Sequence, residues 1–142
     1  MEKSLFFESN NEEETFNAGS KAGSLFKKGD VVALKGNLGV GKSVFVRGAS
    51  SALGVNDNMP SPTFSIVNEY FGSDINVYHF DLYRINDPYE LYAIGFEDYI
   101  YSDAVSFIEW FENAGELIPD KYILVTIEQI DTKRKIYIKW KE

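Results

Sequence analysis

Residues 36–43 of the chain read Gly36-Asn37-Leu38-Gly39-Val40-Gly41-Lys42-Ser43, which is the pattern G-x-x-x-x-G-K-S. An apolar, β-prone stretch at 31–34 precedes this run, and residues 44–53 follow it with helical length and an apolar stripe. A strand, a glycine-rich turn and a helix in this order are the context that a P-loop requires. The alternative is a glycine-rich turn that happens to precede Lys-Ser, but the flanking strand and helix favour a nucleotide-binding loop.

In a P-loop, glycines let the backbone N–H groups converge on phosphate, and the helix that follows adds its positive N-terminal end. The lysine reaches the β- and γ-phosphates, and the hydroxyl residue binds Mg²⁺. The sequence therefore predicts that residues 36–43 bind a nucleotide, with Lys42 on the phosphates and Ser43 on the metal.

The length of 142 residues predicts a single domain spanning residues 1–142, and the hydrophobic fraction of 44% argues against disorder. No apolar run approaches the roughly 20 residues of a membrane span, and no signal-peptide pattern is visible at the N-terminus. The absence of cysteine excludes disulfides and thiolate metal sites, and His79 is the only histidine. We expect a cytoplasmic protein without a membrane partner.

The net charge of −8 disfavours direct binding of nucleic acid, which depends largely on Lys and Arg neutralising phosphates. If the protein acts in a nucleic-acid pathway, it is expected to dock on another protein. The acidic surface could equally serve solubility alone.

The rest of the chain predicts a small α/β fold. Ser9 with Glu12, or Asn10 with Glu13, would open a helix that runs to about Ala22. The other predicted elements are a hairpin of strands at 64–70 and 75–80, a helix capped by Asp87, a turn or helix at 96–101, a buried strand at 104–108, and an antiparallel pair at 122–128 and 135–140. Together they predict a three-layer P-loop NTPase-like fold with a mixed, largely parallel central sheet and antiparallel C-terminal strands.

Two carboxylates follow predicted strands and compete for the metal side of the site. Glu109 ends the more continuous apolar run, as expected of a central strand, so we predict that Glu109 lies nearest the metal. Asp81 would then face the γ-phosphate or its attacking water. Either residue could instead be a strand-end acid that caps a helix or is merely solvated.

A third element is the run of residues 61–64, Ser-Pro-Thr-Phe, between the P-loop helix and the next strand. Thr63 occupies the place of a switch threonine that completes the Mg²⁺ shell when the γ-phosphate is present. An ordinary proline turn is the alternative.

The chain resembles the TsaE (YjeE) family of bacterial P-loop ATPases over nearly its whole length. The resemblance rests on four motifs in one order: the run at 36–43, Ser-Pro-Thr-Phe at 61–64, His-Phe-Asp-Leu-Tyr-Arg at 79–84, and Ile-Glu-Trp at 108–110. It implies ATP and Mg²⁺ as ligands, Thr63 and Asp81 beside the γ-phosphate, Glu109 at the metal and Trp110 beside the nucleotide.

The same resemblance implies a role in making threonylcarbamoyladenosine on tRNA. Members associate with the TsaB–TsaD pair, so tRNA would be met only through the complex, and ATP hydrolysis is thought to reset that assembly.

The family usually has Asp, Ala and Thr where this chain has Asn37, Val40 and Ser43. The hydroxyl is retained at position 43, whereas the charge lost at position 37 could alter affinity or switching.

The arginines bear on the rate of hydrolysis and on the competing classes. The chain contains Arg47, Arg84 and Arg134, and none is in an obvious position for an arginine finger that would stabilise the transition state. We therefore predict slow hydrolysis by the isolated chain. Lys133 and Arg134 are weak candidates for contacts with the adenine.

A small-molecule kinase is the alternative, but the arginine-rich lid typical of those enzymes is absent from the sequence. A GTPase is disfavoured because no N-K-x-D motif is present.

Overall fold

The computed structural model describes residues 3–37, 39–55 and 66–141. Thr63 and Leu38 therefore lie outside the described residues. The elements, in chain order, are β1 Lys3–Ser9, α1 Glu12–Gly23, β2 Val31–Lys35, α2 Lys42–Ala52, β3 Val67–Tyr70, β4 Val77–Asp81, α3 Glu90–Ala93, α4 Phe96–Ile100, β5 Val105–Glu109, a 3-10 segment Phe111–Leu117, β6 Tyr122–Ile130 and β7 Lys133–Lys141.

The strands form one 7-stranded sheet in the order β1-β7-β6-β2-β5-β4-β3. The pairs β6–β2, β2–β5 and β5–β4 are parallel, and the outer pairs are antiparallel. Only β3 and β7 run against the direction of the other strands. The predicted mixed, largely parallel sheet and the antiparallel C-terminal pair are confirmed.

Helices cover the sheet on both faces and give the three predicted layers. Side chains alternate between faces along a strand, so Val32 and Leu34 of β2 pack under α1 and α2. Val31 points to the opposite face, where it packs with α3, α4 and the 3-10 segment. The P-loop helix therefore lies on the face shared by residues 32 and 34.

The start of α1 differs in detail from the prediction. Asn11 is the N-cap, because its side chain accepts a hydrogen bond from Glu14 N–H, and Glu14 accepts one in return from Asn10 N–H. Ser9 is instead the last residue of β1, a strand that the sequence reading did not predict. Its buried hydroxyl lies 2.7 Å from Thr15 Oγ1.

The helix predicted to be capped by Asp87 begins later, at Glu90, with Tyr89 as its N-cap residue. Asp87 caps a turn by accepting a hydrogen bond from Tyr89 N–H, and α3 itself spans only Glu90–Ala93. Gly95, with φ +73°, separates it from α4.

Helices α1 and α2 cross at glycines that permit backbone contact. A Cβ at Gly48 would overlap the Phe16 carbonyl oxygen, and one at Gly19 would overlap that of Phe45. Since an interior glycine costs a helix about 1 kcal/mol relative to alanine, close approach is the reason for Gly48.

We predict that Gly48→Ala destabilises the protein despite its better helix propensity. Overpacking against rigid backbone costs about 1–3 kcal/mol, and here the obstructing atom is a carbonyl that cannot rotate away. Urea unfolding followed by circular dichroism measures the free energy of unfolding. Ser51→Ala, at an exposed position of the same helix, is the control and should change it by less than about 0.5 kcal/mol. Equal or greater stability of Gly48→Ala would contradict the close crossing.

Among the described residues, every helix is too short or too polar to cross a membrane.

Candidate nucleotide site

The loop between β2 and α2 has the conformation that its glycines allow. Gly39 and Gly41 have φ angles of +84° and +103°, which strain any residue with a side chain. Phe45 N–H donates to the Gly41 carbonyl and begins the helical hydrogen bonding of α2. In an α-helix, the N–H groups ahead of the first such bond have no acceptor within the helix, which makes a helix N-terminus suited to an anion.

Lys42 is the charged centre of the loop. Its ammonium group donates to the Gly36 carbonyl at 2.8 Å and lies 3.7 Å from Glu109 Oε1, and the residue is only 7% exposed. The Trp110 ring centroid is 5.6 Å away. A buried ammonium group needs such partners, and a phosphate could replace the Gly36 carbonyl as one of them.

Glu109 lies at the end of β5 behind Lys42. Its Oε2 is 2.8 Å from His79 Nε2, and both residues are buried. Burial acts to raise the pKa of this carboxyl group, but the His79 hydrogen bond and the charges of His79 and Lys42 outweigh it and leave the pKa lowered. An ionised carboxylate can only accept, so His79 must carry its proton on Nε2.

Asp81 lies beside Glu109 because the carboxyl ends of parallel strands meet at one edge of the sheet. The two residues are register partners in the β4–β5 pair. Asp81 is partly exposed and accepts a hydrogen bond from Tyr83 N–H at 3.0 Å. The Asp81 carboxylate therefore stabilises the turn that follows β4, and it remains partly exposed to solvent.

Trp110 follows Glu109 in the left-handed conformation, with φ +57°. It is 38% exposed and its ring lies against that of Tyr83, with centroids 5.0 Å apart. Both aromatic rings are thus presented at the rim of the loop.

A pocket of about 500 Å³ opens beside the loop. One wall is formed by the loop residues Gly36 and Asn37 with Lys42, and another by Trp110. The end of β6, residues 126–130, forms the remaining wall. Of the predicted nucleotide-binding residues, the structure therefore brings Gly36, Asn37, Lys42 and Trp110 to one pocket, with Glu109 directly behind Lys42.

The sequence does not predict the contacts that two residues make in this region. His79 enters the sequence analysis as the only histidine and as part of the motif at 79–84, and its contact with Glu109 appears only in the structure. Arg134 reaches the loop from β7, and nothing local in the sequence predicts that contact.

The residues present fit a magnesium-bound nucleotide. Mg²⁺ is usually held by one or two carboxylates, a hydroxyl, water and the phosphates themselves, and not by a cage of protein ligands. The described ranges contain no group of three or more His, Asp or Glu side chains that could hold a metal. Ser43 at the start of α2 and the ionised Glu109 are suitable donors.

The strand, loop and helix at the centre of this three-layer fold define a P-loop NTPase-like domain. A model of the family "Threonylcarbamoyl adenosine biosynthesis protein TsaE" matches residues 9–136. The chain belongs to the TsaE family.

Similar proteins and a solved structure support this family assignment. A Haemophilus influenzae protein named tRNA threonylcarbamoyladenosine biosynthesis protein TsaE is 41% identical over 110 residues, covering 78% of this chain and 70% of that protein. A Bacillus subtilis protein of the same name is 33% identical over 135 residues, covering 94% and 84%. The crystal structure of YdiB from Bacillus subtilis superposes with a TM-score of 0.83 at 29% identity, covering 100% of this chain and 88% of that one.

Proposed function

We propose that this protein is a Mg²⁺-dependent P-loop ATPase of tRNA threonylcarbamoyladenosine biosynthesis. It binds ATP, hydrolyses it slowly and acts in the cytoplasm on a TsaB–TsaD complex as a nucleotide-driven reset or switch. The observation that carries the proposal is the buried Lys42 at the start of α2, held between the Gly36 carbonyl and the Glu109 carboxylate.

The site residues divide the work of hydrolysis. Lys42 and the loop N–H groups would bind the phosphates, and Ser43 and Glu109 would hold the metal, which would stabilise charge on the phosphates. Asp81, beside Glu109, would orient the attacking water, and Thr63, outside the described residues, is a further candidate ligand of the metal. Trp110 covers the pocket beside the nucleotide.

Charge and exposed aromatic residues support docking on protein. The net charge of −8 opposes direct contact with tRNA. Trp110 lines the pocket and Tyr83 lies against its ring, and the two residues are 38% and 64% exposed. Such aromatic residues are enriched at protein interfaces. A partner bound there would sense whether the pocket is filled.

The test is steady-state release of phosphate from ATP with Mg²⁺, with and without TsaB–TsaD. P-loop GTPases acting alone turn over on the order of 10⁻⁴ to 10⁻² s⁻¹, the lower value without an arginine finger in cis. We expect a rate in that range for the chain alone and an increase of about tenfold or more in the complex, because an ordered or supplied cation is worth roughly 10³–10⁵ in related systems.

A Lys42→Ala chain mixed with the same complex corrects for hydrolysis by the partners. Equal fast rates with and without TsaB–TsaD would contradict the switch. Transfer of phosphate to a small molecule would instead support the alternative of a P-loop kinase.

A further inference from the structure

Arg134 lies against the P-loop. A Cβ built at Gly41 would be 3.8 Å from Arg134 Nε and 3.4 Å from Thr15 Cγ2, so the Arg134 side chain lies beside the last glycine of the loop. Among the described residues, the buried Arg134 Nε has no hydrogen-bond partner, and no ion pair involves the guanidinium group.

The position of Arg134 in β7 fixes the direction of approach. Side chains alternate between the faces of a sheet, so Arg134 lies on the same face as Ile136 and Ile138. Both isoleucines are buried under the helices, so the side chain of Arg134 lies on the face covered by α1 and α2. Its register partner in β6 is Gln129, which lines the pocket. Arg134 therefore reaches the loop from the β6–β7 side, whereas Lys42 faces Glu109 on the β5 side.

A buried donor without a partner calls for an explanation, and a ligand absent from the structure is one. A guanidinium group presents several donors in a planar fork that matches phosphate oxygens. The N–H groups beside the last P-loop glycine cradle the α- and β-phosphates, while the lysine reaches the β- and γ-phosphates.

We propose that Arg134 is a second cation of the nucleotide site and binds the α- or β-phosphate of ATP and ADP. The proposal rests on the proposed function, since it needs a nucleotide at the loop. It assigns to the β6–β7 hairpin a direct part in holding nucleotide in both the ATP and the ADP state.

Calorimetric titration of Arg134→Met with MgATP and with MgADP tests this assignment. Methionine keeps an unbranched stem over Gly41 but has no charge, so packing is retained. We expect affinity for both nucleotides to fall by about tenfold or more, as for loss of a charged hydrogen bond. Arg134→Lys should lose less, because one charge remains. Lys135→Gln removes a charge from the next residue, on the opposite sheet face, and should bind like the unchanged protein.

Thermal unfolding separates this role from a structural one. Without nucleotide, Arg134→Met should unfold at the same or a higher temperature, because a buried unpaired N–H is removed, while the upward shift caused by ATP should shrink. Unchanged affinity for both nucleotides, loss for ATP alone, or marked destabilisation without nucleotide would each overturn the assignment. If Lys42→Ala also binds ATP normally, the proposed function itself fails; if only Lys42→Ala loses binding, the inference about Arg134 alone fails.

Discussion

Replacement of Lys42 by alanine is expected to lower the affinity for ATP by about 100-fold or more. Hydrogen bonds to charged groups contribute about 1.5–3 kcal/mol each, and the ammonium group of Lys42 is buried at the loop, where water screens it little. Its present partners are a carbonyl 2.8 Å away and a carboxylate 3.7 Å away. A triphosphate would offer the same group stronger acceptors. Calorimetric titration with MgATP measures the loss.

The control for this prediction must separate binding from folding. Removing Lys42 leaves the buried Glu109 with His79 as its remaining partner, so some loss of stability is expected. Lys42→Met keeps the aliphatic stem and should bind ATP as poorly as Lys42→Ala while packing better. Lys21→Ala removes an exposed charge from the last turn of α1 and should bind ATP normally. A folded Lys42→Ala protein with unchanged ATP affinity would place the nucleotide elsewhere.

The parts of the fold that the sequence predicted are those with strong local signals. The run at 31–34, the glycine loop and α2 are contiguous, and short apolar runs with turn residues between them marked the strands of the parallel centre. Strand β1 was missed because its stability comes from pairing with β7, near the other end of the chain. Residues 3–9 have no turn signal or long apolar run that would mark them alone.

The site follows the same division. Strand-end logic named Asp81 and Glu109 as the two candidates for the metal side of the site, and the structure makes them register partners. The contact of His79 with Glu109 requires knowing that β4 and β5 are neighbours, which no local pattern gives. Arg134 is more distant still, since its approach to Gly41 depends on the order β7-β6-β2 in the sheet.

Glu109→Gln is expected to reduce the turnover number for ATP by roughly 10²–10³-fold, as for loss of one electrostatic group in an active site. The affinity for ATP should change by less than about tenfold, which is the effect of losing one charged hydrogen bond. Lys42 and the loop N–H groups remain to bind the phosphates. Glutamine keeps an acceptor for His79 Nε2 and nearly the same volume, so the 2.8 Å contact can persist. What is lost is the negative charge beside Lys42 and the metal. Single-turnover hydrolysis with separately measured binding distinguishes the two effects.

Asp81→Asn is the matched variant, because its amide oxygen can still accept from Tyr83 N–H and preserve the turn. If Asp81 orients the attacking water, this variant also slows hydrolysis while binding ATP, but its magnesium requirement stays unchanged. Glu109→Gln should need more Mg²⁺ for half-maximal activity, since Glu109 is assigned to the metal. The reverse pattern would exchange the two roles. Full activity of both variants would mean that the metal is held by other groups, and the buried Glu109 would then be no more than an ion-pair partner of Lys42 and a hydrogen-bond partner of His79.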